Sequence, residues 1–140
     1  MKKLYVVGNK ASKSLSPTIF NYWFKKYNIK ASYGYLELTK KNFHKKIKEV
    51  LEKKDTLGLN VTIPFKNKII KHLGKIDAHA KKIGAVNCVT NKKTINGTNT
   101  DWTGYYKTLP NIKKTKNRKV IILGYGCLLY TSPSPRDMPR

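Results

Sequence analysis

Residues 57–66, Leu-Gly-Leu-Asn-Val-Thr-Ile-Pro-Phe-Lys, combine the pattern of a buried strand with polar side chains at its end. The apolar pattern predicts a β-strand over 57–63, and the proline that follows ends it because proline cannot donate to a strand ladder. Asn60 and Thr62 share one face of this strand, since side chains alternate with a period of two. Lys66 lies just past the strand end. The stretch therefore predicts polar groups gathered at one edge of a sheet.

Strands and helices alternate along the rest of the chain. Short apolar runs predict strands, and apolar residues at helical spacing predict amphipathic helices. On these patterns we predict strands at 3–8, 31–38 and 85–90, and helices beginning at 16 and spanning 40–53, 66–73 and 77–83. A turn at 91–93 leads to a partner strand near 94–95, and a last helix starts at 100 or 101. This order predicts an α/β fold with a mostly parallel sheet.

Several element ends and faces are also predicted. Ser16 is expected to cap the first helix and Gly84 to follow the helix over 77–83. Tyr33 and Tyr35 share a face of the second strand that we expect to be the wetter one. Two helices carry apolar faces, made of Ile19, Phe20, Trp23, Phe24 and Tyr27 in the first and of Phe43, Ile47, Val50 and Leu51 in the second.

The composition narrows the classes of function. The formal net charge is +23, but 27 of the 30 basic residues are lysines spread over almost every segment. Base readout and bidentate phosphate contacts favour arginine, so nucleic-acid binding is not expected, whereas an anionic small molecule is compatible with the charge.

No apolar run reaches the roughly 18 residues of a membrane span, and the first apolar run predicts a strand of a cytoplasmic protein rather than a signal peptide. The two cysteines, Cys88 and Cys127, lack metal-ligand spacing, and no metal site is expected.

Further polar clusters stand at or near predicted strand ends, where ligands bind in open α/β sheets. Ser14 and Ser16 suit a carboxylate or phosphate at a helix start, although a helix cap alone explains serines there. Asn87 offers a carboxamide that donates and accepts, or it is a structural residue of a turn. Asp101 either pairs with Lys66 or caps the last helix. Lys66 is either a proton donor in a cleft or one more solvated lysine.

The order and spacing of these clusters are more specific than any one of them. The strings are Ser14-Leu15-Ser16-Pro17, Asn60-Val61-Thr62-Ile63-Pro64-Phe65-Lys66, Gly84-Ala85-Val86-Asn87 and Asn99-Thr100-Asp101. Together they closely resemble shikimate dehydrogenase, from about residue 3 to Gly126. The resemblance implies an oxidoreductase that reduces 3-dehydroshikimate to shikimate with NADPH, a step of the shikimate pathway, which leads to chorismate and the aromatic amino acids. It also implies a three-layer α/β/α substrate-binding domain followed by the start of a truncated Rossmann domain.

The resemblance assigns roles to individual residues. The implied substrate-binding residues are Ser14, Ser16, Asn60, Thr62, Lys66, Asn87 and Asp101. The two serines would hold the substrate carboxylate, while Thr62, Asn87 and Asp101 would bind ring hydroxyls with Asn60 close by. Lys66 would be the catalytic acid/base, paired with Asp101. Lys13 departs from the pattern, because the family often has a histidine at this position.

The cofactor half of such an enzyme is only begun in this chain. A buried strand from Lys119 runs into a Gly124-Tyr125-Gly126 turn, and the resemblance implies that the two glycines bind NADP, although Cys127 replaces a further glycine. The last 14 residues hold three of the six prolines and no lysine, which predicts a non-native tail, with a native, disordered proline-rich terminus as the alternative. We therefore predict a shikimate-binding catalytic domain at 1–110, a linker and the first strand of a truncated NADP-binding domain at 111–126, and the tail at 127–140. A fragment of this kind is expected to be inactive alone.

Other functions stay open on the sequence. A quinate/shikimate dehydrogenase that uses NAD belongs to the same family, and the missing half would distinguish the two. A non-catalytic small-molecule binding module and a basic nucleic-acid-binding domain are alternatives from other classes. The expected partner is a small-molecule substrate, and neither a nucleic acid nor a membrane is expected as a partner. The sequence does not distinguish between a monomeric and a homodimeric parent protein.

Overall fold

A computed structural model describes residues 1–108, which build one six-stranded sheet with helices on both faces. The strands are β1 (Lys2–Gly8), β2 (Ala31–Glu37), β3 (Thr56–Val61), β4 (Lys75–Ile76), β5 (Cys88–Asn91) and β6 (Ile95–Thr98). The helices are α1 (Ser16–Lys26), α2 (Phe43–Leu51), α3 (Ala78–Ile83) and α4 (Thr100–Thr108). Two 3₁₀ segments, Ala11–Lys13 and Lys68–His72, complete the described elements. Within 1–108, none of the helices has the length and apolar character needed to cross a membrane.

The strand order of the sheet is β2-β1-β3-β5-β6-β4. The first strand pairs in parallel with both β2 and β3, and β4 runs parallel to β6. The hairpin of β5 and β6 is antiparallel, as is the pairing of β5 with β3. The α/β prediction is confirmed, and the sheet is mixed: the predicted turn at 91–93 makes β5 and β6 an antiparallel hairpin, and β5 also pairs antiparallel with β3.

The two faces of the sheet are covered by different helices. Val6 and Val7 are neighbours on β1, so their side chains point to opposite faces. Val7 belongs to the large core cluster, which includes buried residues of α2, α3 and the second 3₁₀ segment. Val6 belongs to a smaller cluster with Tyr33, against which Phe20 and Phe24 of α1 pack. Helices on both sides make the three-layer arrangement that the family resemblance implied.

The apolar faces of the first two helices are buried to different extents. All four predicted inner residues of α2 are buried, Phe43 and Ile47 completely. In α1 none of the residues is fully buried: Ile19 and Trp23 are 43% and 45% exposed, and Tyr27, which directly follows the helix, is 63% exposed. The sequence pattern therefore predicts an apolar face on α1, but the other residues of 1–108 bury only part of that face.

Three elements differ from their predicted form. The strand predicted at 85–90 pairs with its neighbours in the sheet only from Cys88 onward. The residues before Cys88 make other hydrogen bonds, such as the one from Val86 N–H to Lys66 C=O (2.8 Å). The predicted helix at 66–73 is a five-residue 3₁₀ segment. The two-residue strand β4 is missing from the prediction, since two residues are too few to show a period.

Two predicted helix caps are wrong. Ser16 is the first residue of α1, and Leu15 occupies the cap position without a side-chain hydrogen bond. At α4 the capping side chain is Asn99, whose Oδ1 accepts from Trp102 N–H (3.0 Å), rather than Thr100 or Asp101. The Gly84 prediction is confirmed, because this residue has a left-handed φ of 72° after α3, which costs glycine little.

The face of β2 that carries the tyrosines is not uniformly wet. Tyr35 is 52% exposed, as expected, whereas Tyr33 is only 3% exposed. The reason is α1, which lays Phe20 flat against Tyr33, with ring centroids 4.6 Å apart. The strand pattern could not show which tyrosine a distant helix would cover.

Candidate functional site

One cavity of about 450 Å³ opens where β1 and β3 end. Its lining contains every one of the seven side chains singled out as substrate-binding from the sequence, namely Ser14, Ser16, Asn60, Thr62, Lys66, Asn87 and Asp101. The remaining lining residues are Val6, Lys10, Ala11, Lys13, Phe20 and Val61. The carboxyl ends of neighbouring parallel strands lie at the same sheet edge, which explains why groups so distant in sequence meet here.

The serine end of the cavity is built by the loop between β1 and α1. Ser14 Oγ accepts from Ser16 N–H (3.2 Å) and donates to Ser16 Oγ (3.1 Å), so the two hydroxyls lie side by side. Lys13, which lines the cavity beside them, places a cation at this end. Two adjacent hydroxyls near a helix start and a lysine form a suitable environment for a carboxylate.

The same loop is tied to the end of β2. Ser12 donates to the Glu37 carboxylate from its backbone N–H (3.1 Å) and from its hydroxyl. These hydrogen bonds, the one from the hydroxyl first, lower the pKa of Glu37, because they stabilise the charged carboxylate. The contact restrains the loop that presents Ser14 and Ser16.

Strand β3 and the residue that follows it contribute two polar groups to the cavity wall. Asn60 and Thr62 flank Val61, which is 2% exposed and belongs to the core on the other face. Asn60 Oδ1 accepts a hydrogen bond from Tyr33 Oη (2.7 Å). Asn60 on the strand and Thr62 just past its end therefore line the cavity on either side of the buried Val61.

The opposite end of the cavity centres on an ion pair. Lys66 Nζ lies 2.6 Å from Asp101 Oδ2, and the two side chains are 16% and 33% exposed. Phe65, which precedes the lysine, is completely buried and stacks on Phe43 at 4.2 Å, so it anchors the backbone that holds Lys66. A partly buried ammonium beside a carboxylate can stabilise and protonate an oxygen that develops negative charge.

Asn87 joins the ion pair to the start of α4. Its Nδ2 donates to Asp101 Oδ1 (2.7 Å) and to Thr100 Oγ1 (2.9 Å), and its Oδ1 accepts from Thr100 N–H (2.8 Å). Both oxygens of Asp101 are thus engaged, one by Asn87 and one by Lys66. Because Asn99 supplies the helix cap, Asp101 is available to hold the lysine instead.

Lys10, Phe20 and Tyr33 lie at or behind the cavity wall and were not among the site candidates from the sequence. Lys10 and Phe20 line it, and Tyr33 supports Asn60 from behind. Phe20 could have been suspected from its place on the apolar face of α1, but Lys10 is one lysine among many in a polar loop. Tyr33 gave no local signal, since its partner Asn60 lies 27 positions away in the sequence.

Other predicted groups lie elsewhere in the chain. Gly124 and Gly126, implied as NADP-binding, fall outside the described residues, as do Cys127 and the predicted segments 111–126 and 127–140. Among residues 1–108, no three or more His, Cys, Asp or Glu side chains come together in a way that could hold a metal ion.

Comparison with known proteins identifies similar sequences and structures. Residues 6–89 match the family model described as the shikimate dehydrogenase substrate binding domain. The chain is 38% identical to the shikimate dehydrogenase (NADP(+)) of Pelagibacter ubique over 134 residues, which cover 90% of this chain and 48% of that protein. It is 40% identical to that of Staphylococcus haemolyticus over 127 residues, 89% of this chain and 47% of that protein. The chain thus spans about half the length of these curated relatives.

Solved structures agree with the sequence comparison. The shikimate dehydrogenase of Aquifex aeolicus is 34% identical with a TM-score of 0.72, over 78% of this chain and 41% of that one. The Thermus thermophilus enzyme, solved in complex with NADP(H) and shikimate, is 29% identical with a TM-score of 0.69, over 76% of this chain and 41% of that one.

Proposed function

Because this chain belongs to the shikimate dehydrogenase family, through its substrate binding domain, we propose that it is the shikimate-binding part of an NADP-dependent enzyme that interconverts 3-dehydroshikimate and shikimate. The observation that supports this most is the cavity that gathers Ser14, Ser16 and the Lys66–Asp101 pair. Shikimate has one carboxylate and three ring hydroxyls. A cavity with a hydroxyl-and-lysine end, polar walls and a proton-donating end matches that pattern of groups.

In the proposed binding mode each polar group has one task. Ser14 and Ser16 hold the substrate carboxylate, and Thr62, Asn87 and Asp101 bind ring hydroxyls, with Asn60 close by. The support for Asn87 and Asp101 is the hydrogen-bond chain from Lys66 through Asp101 to Asn87, which fixes the orientation of the carboxylate and of the carboxamide. Polar groups that are already held in place lose little freedom on binding, so they orient the ring at low cost.

Lys66 is the proposed acid/base. When bound, the nicotinamide cofactor supplies the hydride that reduces the carbonyl carbon of the substrate. Lys66 as an ammonium stabilises the carbonyl oxygen as negative charge develops on it, and then delivers a proton. In the oxidative direction the neutral amine removes that proton. Asp101, 2.6 Å from Nζ, keeps the amine pointed into the cavity throughout.

The preference for NADP rests on relatives whose names specify NADP(+). The residues proposed to bind it, Gly124 and Gly126, and the division into domains at 110 and 126 are proposals from the sequence. The biosynthetic pathway, a cytoplasmic location, and a parent protein that is a monomer or homodimer are likewise proposed, as is the absence of nucleic-acid and membrane partners.

Two measurements test the proposed function together. Shikimate added to the 140-residue chain should shift NMR signals of the cavity residues, while the chain alone should show no shikimate-dependent NADPH formation. A longer gene product that contains this chain and a cofactor-binding half should catalyse that reaction. Shikimate-dependent turnover by the 140-residue chain alone would contradict the proposed division of labour, and a longer product without any turnover would contradict the proposed function.

A further inference from the structure

Tyr33 is a buried polar side chain that stands behind the cavity wall. It is 3% exposed, and its hydroxyl donates to Asn60 Oδ1 over 2.7 Å. Tyr33 belongs to β2 and Asn60 to β3, with β1 lying between these strands, so the tyrosine reaches across the middle strand to make this bond. A buried hydroxyl needs a partner, and here the partner is a residue that lines the cavity.

The position of Tyr33 is fixed by α1. Asn21 bonds both backbone groups of Tyr33, with Nδ2 donating to its C=O (2.8 Å) and Oδ1 accepting from its N–H (2.9 Å). The ring of Phe20 stacks on that of Tyr33 with an interplanar angle of 8°. The backbone and the ring of Tyr33 are therefore both fixed in place, and this fixes the direction from which its hydroxyl contacts Asn60.

The protonation of Tyr33 suits a permanent donor. Burial raises the pKa of the Tyr33 hydroxyl to about 12, and Cys88 adds to this effect, while the nearby Ser16 hydroxyl partly opposes it. The group thus keeps its proton at neutral pH. Asn60, Ser14 and Ser16 all line the same cavity.

A carboxamide has one oxygen and one NH₂ group, and the contact with Tyr33 occupies the oxygen. The NH₂ group is then directed away from Tyr33, toward the cavity that Asn60 lines. Without the tyrosine hydroxyl the amide is free to rotate, so that its oxygen would face a substrate oxygen in some molecules and repel it.

We infer that Tyr33 is a positioning residue for substrate binding, which holds the Asn60 amide so that its NH₂ donates to a shikimate oxygen near Ser14 and Ser16. This inference rests on the proposed function. Tyr33 acts through Asn60 and does not itself touch the substrate. The hydroxyl, rather than the ring, is the part that matters for recognition.

The test uses Tyr33→Phe in the full-length gene product that contains this chain. Phenylalanine keeps the ring and its stack on Phe20, so the fold should persist. We expect KM for shikimate to rise about fivefold to tenfold, the effect of one hydrogen bond, while kcat changes less than about twofold. Tyr35→Phe is the matched control, because Tyr35 lies two residues along the same strand face and is 52% exposed. It should leave both constants unchanged.

A double-mutant cycle separates positioning from general support of the fold. Adding Tyr33→Phe to an Asn60→Ala variant should have no further effect on KM, because Tyr33 has no amide left to orient. An undiminished rise in KM in that background, or a KM equal to wild type in the single variant, would overturn the inference while leaving the proposed function intact. A wild-type protein that neither binds nor oxidises shikimate would overturn both.

Discussion

Among residues 1–108, Lys66 differs from most of the lysines in what surrounds it. Its side chain is 16% exposed and its Nζ touches the Asp101 carboxylate, whereas most other lysines project into solvent. Lys66→Ala in the full-length protein should therefore lower kcat by about 10²- to 10⁴-fold, the usual range for a general acid or base. KM for shikimate should change much less, because eight other polar side chains also line the cavity.

Steady-state kinetics in the oxidative direction, followed by NADPH absorbance, measure this effect. Lys71→Ala is the control, since Lys71 is an exposed lysine five positions further on and should have near-normal kcat. A Lys66→Ala enzyme with nearly normal turnover would remove Lys66 from the acid/base role.

The residues of the cavity were predictable to different degrees. The seven candidates occur in four short strings with characteristic spacing, and each string follows or approaches a strand end, so sequence alone pointed to one polar edge. Tyr33 and Lys10 were missed because their relation to the cavity depends on which elements pack together. A hydroxyl that crosses β1 to reach Asn60 has no counterpart in local sequence.

At the scale of the elements, the start of α4 helps to build the cavity, because Asp101 lies in its first turn. Asn99 is 3% exposed, caps α4 through Trp102 N–H (3.0 Å), and donates through Nδ2 to Ala85 C=O (3.0 Å). Asn99→Ala removes a cap and leaves a buried carbonyl unpaired, which should lower the free energy of unfolding by about 2–3 kcal/mol.

Urea denaturation of the Asn99→Ala variant measures that loss. Thr108→Ala, at the other end of the same helix, is a suitable comparison because its hydroxyl bonds Tyr105 C=O at an exposed site, so the cost should stay within about 0.5 kcal/mol. Equal costs for the two variants would show that Asn99 does not anchor the start of α4.

A second element-scale prediction concerns the contact of α2 with the Lys68–His72 segment. His44 Nδ1 and His72 Nε2 lie 2.8 Å apart, a distance at which the two rings hydrogen-bond through one proton. Burial, with the neighbouring His44 charge as a second cause, lowers the pKa of His72 below its usual 6.5. The unfolded chain then binds a proton at His72 more readily than the folded chain does. The contribution of neutral His72 to the free energy of unfolding is therefore present above pH 6.5 and is lost as the pH falls below it.

Unfolding free energies measured between pH 8 and pH 5 should therefore decline toward acid, and less steeply in a His72→Gln variant. The carboxyl groups of Glu37, Glu49 and Asp55 have lowered pKa values, so their contribution is lost only at still lower pH. Identical pH slopes for wild type and variant would contradict the role of the histidine pair.

Elements with strong apolar patterns were predictable, and those without them were not. The inner face of α2 was predicted residue by residue because four buried side chains repeat at helical spacing. The short strand β4 and the difference between an α-helix and the 3₁₀ segment at Lys68–His72 depend on partners elsewhere in the sheet. The cap of α4 could not be predicted either, because three adjacent polar residues, 99–101, can each cap a helix. The hydrogen bond from Asn99 to Ala85 C=O determines which of the three does so.

At the scale of the whole molecule, charge should govern affinity. The sequence has a net charge of +23, and the charged residues of the cavity are three lysines (Lys10, Lys13, Lys66) and Asp101. The proposed substrate is a monoanion, so raising NaCl from about 10 mM to about 1 M, which shortens the Debye length from roughly 30 Å to 3 Å, should weaken shikimate binding about threefold to tenfold.

Calorimetric titrations at several salt concentrations test this dependence. Lys13→Gln should give a weaker affinity at low salt and a shallower salt slope, because it removes a cation from the cavity. Lys41→Gln changes the net charge by the same amount on an exposed residue outside the lining, and its slope should stay close to wild type. Equal slopes in the two variants would mean that only the overall charge, and not the cavity, attracts the ligand.

The ion pair between Lys66 and Asp101 joins positions 35 residues apart, and Ser14 is further away still along the chain. A ligand that touches all three can therefore bind only molecules in which nearly the whole sheet has already assembled. Its binding energy is then coupled to the folding equilibrium itself: a ligand at 100 times its Kd stabilises the native state by about 2.7 kcal/mol. Hydrogen exchange should report this as slower exchange of globally protected amides throughout the sheet, including those far from the ligand.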